Sequence, residues 1–216
     1  MTGDYIWHRE DILDLYEQPY DLRRPVICFD ERPCQLLGDV LMPIPMKPGR
    51  AKRHDDEYER KGTWCILLAF EPLRGWRFVQ VRTQRTAVDY AAFMQELVET
   101  YYPAVDRIQL VQDNLNTHTP GAFYHALVPQ EAFEWAQRFT LHYTPIKGSW
   151  LNMAEIELSV LSRQCLDRRI GDMETLEKEA MIWSSNRNKA RKTARWKFTK
   201  NDARRKLQKK YPMLQN

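Results

Sequence analysis

Thr144-Pro145-Ile146-Lys147-Gly148-Ser149-Trp150-Leu151-Asn152-Met153-Ala154-Glu155 is a turn rich in Pro, Gly and Ser running into a helix with a carboxylate in its first turn. Asn152 is a favoured helix cap, and Glu155 follows at the spacing of a capping box. On local grounds Glu155 either satisfies a backbone N–H at the helix start or faces a cleft. Two acids upstream bear on that choice. Asp30 closes the apolar run Pro25-Val26-Ile27-Cys28-Phe29, and Asp113 closes a run holding Ile108, Leu110 and Val111. Three carboxylates delivered by two strand ends and a helix start point to a divalent-metal site.

On the helix itself, Ser159 and Ser162 share a facet with Glu155. The apolar positions Leu158, Leu161 and Cys165, with Ile156 and Val160, fall elsewhere, which turns Glu155 toward a polar cleft. Glu157 lies about 200° around the helix and reads as a surface residue. Glu31 points to the opposite face from Asp30 by strand alternation and is left out of the site.

Working outward, residues 5–18 read as a short amphipathic helix of mixed charge, and 1–24 as a connector. Residues 31–62 show little periodicity and hold Pro43, Pro45, Pro48 and Gly49, a long connection. Thr63–Phe70 reads as a central strand, and Gly75–Arg82 alternates apolar and polar as a half-buried one. Pro72 to Gly75 suits the hairpin turn between them. Thr86 with Asp89 opens a helix carrying Tyr90, Met94, Leu97 and Tyr101 on one face. Thr119-Pro120 starts another helix that Pro129 divides, with Pro120 at its first position. Phe139–Tyr143 is a short strand, and a last long helix begins at Gly171-Asp172-Met173. The order β-β-β-α-β-α-β-α predicts an α/β fold, a mixed five-stranded sheet flanked by helices. Sites in such sheets form at the carboxyl ends of parallel strands. Asp30 and Asp113 are expected there.

With 216 residues, 43% of them hydrophobic, the chain supports one substantial core over 25–185. Its longest apolar run, Trp64–Phe70, is too short to span a bilayer. The first twelve residues carry no apolar segment of the signal-peptide kind. Cys28, Cys34, Cys65 and Cys165 form no CxxC pair and read as reduced thiols in or near the core. No HxxxH or HExxH occurs, which argues against zinc. Trp76 and Trp196 read as packing residues. Charge is uneven: Arg187–Lys210 holds twelve basic residues and one acid, while the rest holds 21 basic and 28 acidic. Residues 186–216 therefore read as a basic tail suited to nucleic acid, or as a solvated face.

Clustered carboxylates repel one another, and a divalent cation converts that repulsion into binding. Magnesium is usually held by one or two carboxylates, with phosphate oxygens and water completing its shell. Two such ions about 3.5–4 Å apart activate an attacking oxygen and stabilise a leaving one in phosphodiester chemistry. Around Asp113, the polar Asn114, Asn116 and His118 are either turn residues or contacts to a DNA strand.

Three motifs, "CFDE" (Cys28–Glu31), "VQDNLNTHT" (Val111–Thr119) and "HYTPIKGSWLNMAEIELSVLSRQCLDRRI" (His142–Ile170), resemble the DDE transposases of bacterial insertion sequences in the mariner superfamily. The last motif is long and specific, and the likeness extends more loosely over about residues 10–211. The spacer of 41 residues between Asp113 and Glu155 fits the bacterial branch better than the eukaryotic one. The resemblance implies an RNase H-like fold with Asp30, Asp113 and Glu155 as catalytic, metal-binding triad. It implies magnesium or manganese, two ions, and cleavage at transposon ends followed by 3′-OH strand transfer into target DNA. Transposon-end and target DNA are the implied partners, with a homodimer and no membrane. Expected DNA contacts are Asn114, Asn116, His118, Lys147, Arg50, Arg53, Arg187, Lys189, Arg191, Lys192 and Arg195. Family members carry a helix-turn-helix region ahead of the catalytic domain, whereas this chain begins close to the first catalytic strand. A separate upstream helix-turn-helix polypeptide is therefore an expected partner, and the bacterial cytoplasm, at the nucleoid, the expected location. Two other readings stand beside this one. One is a catalytically silent DNA-binding remnant, the other an RNase H-like nuclease that cuts without joining.

Overall fold

Alternation of apolar residues along the strands sorts the helices onto two faces of one sheet. In the computed structural model, residues 1–42, 44–50 and 56–211 are described. The strands are β1 Val26–Asp39, β2 Tyr58–Glu71, β3 Trp76–Arg82, β4 Ile108–Gln112 and β5 Phe139–Tyr143. They form a mixed five-stranded sheet in the order β3-β2-β1-β4-β5, as the element order predicts. β1, β2 and β3 are antiparallel, and β4 and β5 join β1 in parallel. The helices are α1 Gly3–Glu17, α2 Ala87–Glu96, α3 Gly121–Ala126, α4 Pro129–Ala136, α5 Met153–Gln164, α6 Met173–Lys189 and α7 Lys200–Lys206.

Cys28, Ile66, Leu68 and Val111 point to one face, where α1, α5, α6 and α7 bring Leu13, Leu158, Ala180 and Ala203. Ile27, Phe29, Leu67 and Leu110 point to the other, against Phe93 and Met94 of α2 and Phe123 of α3. Each fully buried side chain of this size contributes about 1.5–3 kcal/mol. A one-residue slip of any central strand would exchange the two sets, so register is firmly set.

Several local expectations hold. Thr86 and Asp89 form a reciprocal capping box, Pro129 opens α4, and Gly75 turns the β2–β3 hairpin with a φ of +68°. Pro120 occupies the cap of α3 rather than its first turn. Trp76 packs among Phe78, Tyr101 and Tyr102, and Trp196 against Tyr16 and Trp150. The four cysteines are free, with Cys34 only half-buried.

Other expectations are corrected. β1 does not stop at Asp30-Glu31-Arg32-Pro33 but runs on to Asp39, paired with a β2 that begins at Tyr58. Both ends of the expected connection, residues 31–39 and 58–62, are thus a two-stranded ribbon. Pro33 is tolerated because β1 leaves β4 after Cys28 and keeps only β2 as neighbour, so its missing N–H faces an open edge. The first helix is more than a connector: Arg9, Ile12, Leu13 and Leu15 are buried, and Asp11 meets His142 of β5 at 2.7 Å.

The basic stretch after residue 186 is folded onto the body as far as Tyr211. Ala194 N–H bonds to Pro72 O, and α7 lies along α1 with Lys200 paired to Asp14 and Arg204 to Glu10. Among the described residues no helix is long and apolar enough to cross a membrane.

Candidate active site

The parallel register of β1 and β4 ends at Cys28↔Val111. Two residues further along each chain stand Asp30 and Asp113, continuing the inward rows of Cys28 and Val111. Asp113 directly follows the last residue of β4. Asp30 is instead mid-strand in β1, opposite Leu68 of β2, at the point where β1 and β4 diverge. That divergence, rather than a strand end, opens the cleft.

Glu155 enters from α5, and the loop before it explains how. Gly148 N–H closes a turn on Pro145 O at 2.7 Å, and a Cβ on Gly148 would lie 2.4 Å from Pro145 Cγ. Tyr16 O–H donates to Leu151 O at 2.8 Å. Asn152 caps α5, accepting from Ala154 N–H at 3.0 Å, while its amide donates to Phe29 O at 2.8 Å. The helix start is thereby tied to β1 one residue before Asp30. No capping box forms: Asn152 N–H bonds Ser149 O. The backbone-satisfying reading of Glu155 fails, because its partner is already taken. Glu155 is half-exposed, and no hydrogen bond or ion pair to its carboxylate is present among the described residues.

Electrostatics couple Asp30 to the other two acids. Burial, then the charges of Asp113 and Glu155, push the Asp30 pKa up to about 7, against a hydrogen bond from Glu31 N–H at 2.8 Å. Asp113 Oδ1 lies 2.5 Å from His118 Nδ1. The His118 ring is buried, edge-on to Phe29 and stacked on Tyr90, and its Nε2 is 3.4 Å from Glu31 Oε2. Burial alone would lower the imidazole, but the bonds to Asp113 and Glu31 hold it at about 9. Arg85 pairs with Glu31 from outside at 3.0 Å.

The residues fit divalent-cation binding in the donor set, all hard oxygens, and in the repulsion that Asp30 registers. Among the described residues no three His, Cys, Asp or Glu converge tightly enough to chelate one ion alone. The fit is to a cation held by one or two carboxylates with other oxygens completing its shell.

Three sequence expectations are revised here. Glu31 does face away from Asp30, yet it belongs to the site's support because His118 reaches it through the sheet. His118, expected at DNA, is buried at 1% exposure, so it can act only through Asp113. Glu157, expected on the surface, is 3% exposed and ion-paired with Arg77 and Arg187. Arg187 is thus committed to a buried carboxylate rather than free for DNA. An arginine 30 residues from its partner leaves no local sequence signal. The adjacent acid in Asp30-Glu31 was the available hint for the other cluster.

Of the remaining expected DNA contacts, Asn114, Asn116, Arg50, Lys147, Lys189, Arg191, Lys192 and Arg195 are exposed. Arg53 lies outside the described residues. Lys147 sits at the tip of the turn before Glu155 in the left-handed region, φ 62°.

Residues 25–177 match the model of the DDE superfamily endonucleases. No curated protein matches the sequence. Among solved structures the chain resembles the Mos1 mariner paired end complex with Mn (TM-score 0.58, 13% identity, covering 89% of this chain and 58% of that one). It also resembles the Mos1 paired-end complex with left transposon end (0.56, 14%, 86% and 56%) and a pre-cleavage Mos1 transpososome (0.54, 13%, 89% and 63%). The chain thus spans less than two thirds of those proteins, and at this identity the likeness speaks to fold, an RNase H-like sheet flanked by helices. With the family model covering the whole sheet and α5, the chain belongs to the DDE superfamily endonucleases.

Proposed function

We propose that this chain is the catalytic core of a transposase of the bacterial insertion-sequence type. It cleaves DNA at transposon ends and transfers the freed 3′-OH to target DNA. Asp30, Asp113 and Glu155 are its metal-binding and catalytic residues. The observation that carries the reading is the raised pKa of Asp30 beside two further carboxylates. An acid whose pKa is raised by burial, and then by neighbouring carboxylates, is costly without a cation and useful with one. The similar Mos1 structures are described with Mn and with Mg, which supports either ion here.

Two such ions, when bound, activate the attacking oxygen and stabilise the departing one. The chain's own residues supply the rest. Asp30 on β1 and Asp113 just past the end of β4, where the two chains diverge, present oxygens to the same space. Glu155 brings a third from α5. His118 holds Asp113 in one orientation. Exposed Asn114, Asn116 and Lys147 border the cleft and contact the DNA strand, while Lys189, Arg191, Lys192 and Arg195 bind its phosphates. A second copy of the chain is needed to join two ends, and a separate helix-turn-helix polypeptide would read their sequence.

The test is a labelled oligonucleotide with a free 3′-OH, incubated with supercoiled plasmid and Mn2+, beside Glu155→Gln. Label joined to plasmid by the wild type alone supports strand transfer. Nicked plasmid without joined label selects the nuclease reading. Neither product, in a protein that still binds DNA, selects the silent remnant.

A further inference from the structure

Arg77 of β3 and Arg187 of α6 close on one carboxylate, Glu157, on the far side of α5 from Glu155. Glu157 Oε2 accepts from Arg77 Nε at 2.7 Å and Arg187 Nε at 2.9 Å, and Oε1 accepts from Arg187 Nη2 at 2.8 Å. The side chains of Arg77 and Glu157 are 0% and 4% exposed. Arg77 also donates to Gly75 O at 2.6 Å and to Lys192 O. Its guanidinium therefore joins the hairpin, α5 and the segment after α6. Asn188 adds a second lock: Arg77 N–H donates to its Oδ1 at 2.8 Å, and its Nδ2 donates to Arg77 O at 2.8 Å. The end of α6 thus satisfies the backbone of Arg77 on the open edge of β3.

Three charges buried together are a poor source of stability, because desolvation offsets much of their attraction. What they supply is direction. Asn152 fixes where α5 begins, and Glu157 fixes its rotation about its own axis. The Glu155 carboxylate rides about 5–6 Å from that axis, so a roll of about 10° shifts it by about 1 Å. Misplacing a reacting group by that distance costs on the order of 10²-fold in rate.

We propose that Arg187 and Arg77 are positioning residues for Glu155, acting through Glu157. The start of the basic C-terminal stretch then completes the active site instead of serving only to hold DNA. This rests on the reading of Glu155 as a metal-binding carboxylate.

Two variants test it. Arg187→Gln opens the rim of the cluster. The triple variant Arg77→Met, Glu157→Leu, Arg187→Met removes all three charges at similar volume and is expected to stay folded. Backbone hydrogen exchange and Mn2+ affinity by calorimetry are measured for each without DNA. The expected result is exchange at least tenfold faster in the first turns of α5, with β1 and β4 unchanged, and Mn2+ affinity at least tenfold weaker. Arg187→Lys should recover part of both. Wild-type protection of α5 in Arg187→Gln would overturn the proposal, as would acceleration spread evenly over the chain. A wild-type protein with no Mn2+ affinity would remove the metal reading above, while exchange at α5 would still decide whether the cluster holds that helix.

Discussion

His118 Nδ1 stands 2.5 Å from Asp113 Oδ1 while the same ring points Nε2 at Glu31, so one buried imidazole joins acids on opposite faces of the sheet. Replacing it with Phe keeps a ring between Phe29 and Tyr90 but removes both donors. His118→Phe should cost about 1–3 kcal/mol, read as a shift in urea midpoint. An unchanged midpoint would mean that neither bond holds in solution.

Two titrations give the metal-free protein an unusual pH dependence. His118 titrates at about 9 in the folded state against 6.5 ordinarily. Its contribution, about 3 kcal/mol, is complete below pH 6.5 and lost as pH rises through 9. Asp30 titrates at about 7 against 3.8, so the folded state holds a proton that the unfolded chain releases. Stability on the order of 4 kcal/mol is lost as pH rises from about 4 to 7. Both slopes run the same way. Urea midpoints in EDTA should fall steadily from pH 5 to pH 9, and a flat or rising series would contradict both assignments.

Asp30→Asn removes the larger of those slopes. In EDTA at pH 8 the variant should exceed the wild type in Tm, because a neutral amide no longer faces Asp113 and Glu155. Saturating Mn2+, at a hundredfold excess over Kd, should stabilise the wild type by about 2.7 kcal/mol. It should leave the variant nearly unmoved. Equal shifts in both would place metal binding elsewhere.

Buried and surface pairs should separate sharply. Glu157→Ala strands two guanidinium groups, one of them wholly buried, and should cost about 3–5 kcal/mol. Asp14→Ala breaks the exposed pair with Lys200 and should cost no more than about 1 kcal/mol. Thermal denaturation of the two side by side checks the contrast.

Gly75 meets two demands at once. Its φ is +68°, and a Cβ would lie 2.8–2.9 Å from the backbone of Arg191, Lys192 and Thr193. Gly75→Ala should cost about 1–3 kcal/mol and loosen the segment after α6. Faster tryptic cleavage between residues 189 and 197 would report it.

DNA affinity should depend on the exposed part of the basic stretch. Lys189, Arg191, Lys192 and Arg195 changed together to Gln should leave Tm nearly unchanged. The slope of log affinity against log salt should fall by about 0.9 for each phosphate that is no longer neutralised. Deleting everything from Arg187 onward would confuse this with loss of the Glu157 cluster and of Trp196 packing.

The sheet was legible because its signals are local. Apolar runs ending in acids, the Thr86–Asp89 box and the Pro72–Gly75 turn each lie within a few residues. The length of β1 was not, since Pro33 argues against a central strand and only the departure of β4 after Cys28 makes its position an edge. The acids Asp30, Asp113 and Glu155 could be singled out for the same local reason: Asp30 and Asp113 close apolar runs, and Glu155 lies in the first turn of a helix.

Period-two and period-3.6 patterns, caps and turns thus marked by themselves the five strands, the order of the main elements and three candidate carboxylates, because such signals come from a residue's nearest neighbours. Tertiary structure alone decided that Glu157 is buried, that Arg187 serves it across 30 residues, and that His118 links Asp113 to Glu31 through the sheet. Those facts follow from which faces meet, and a charge becomes a core residue only when a distant partner replaces the water it gives up.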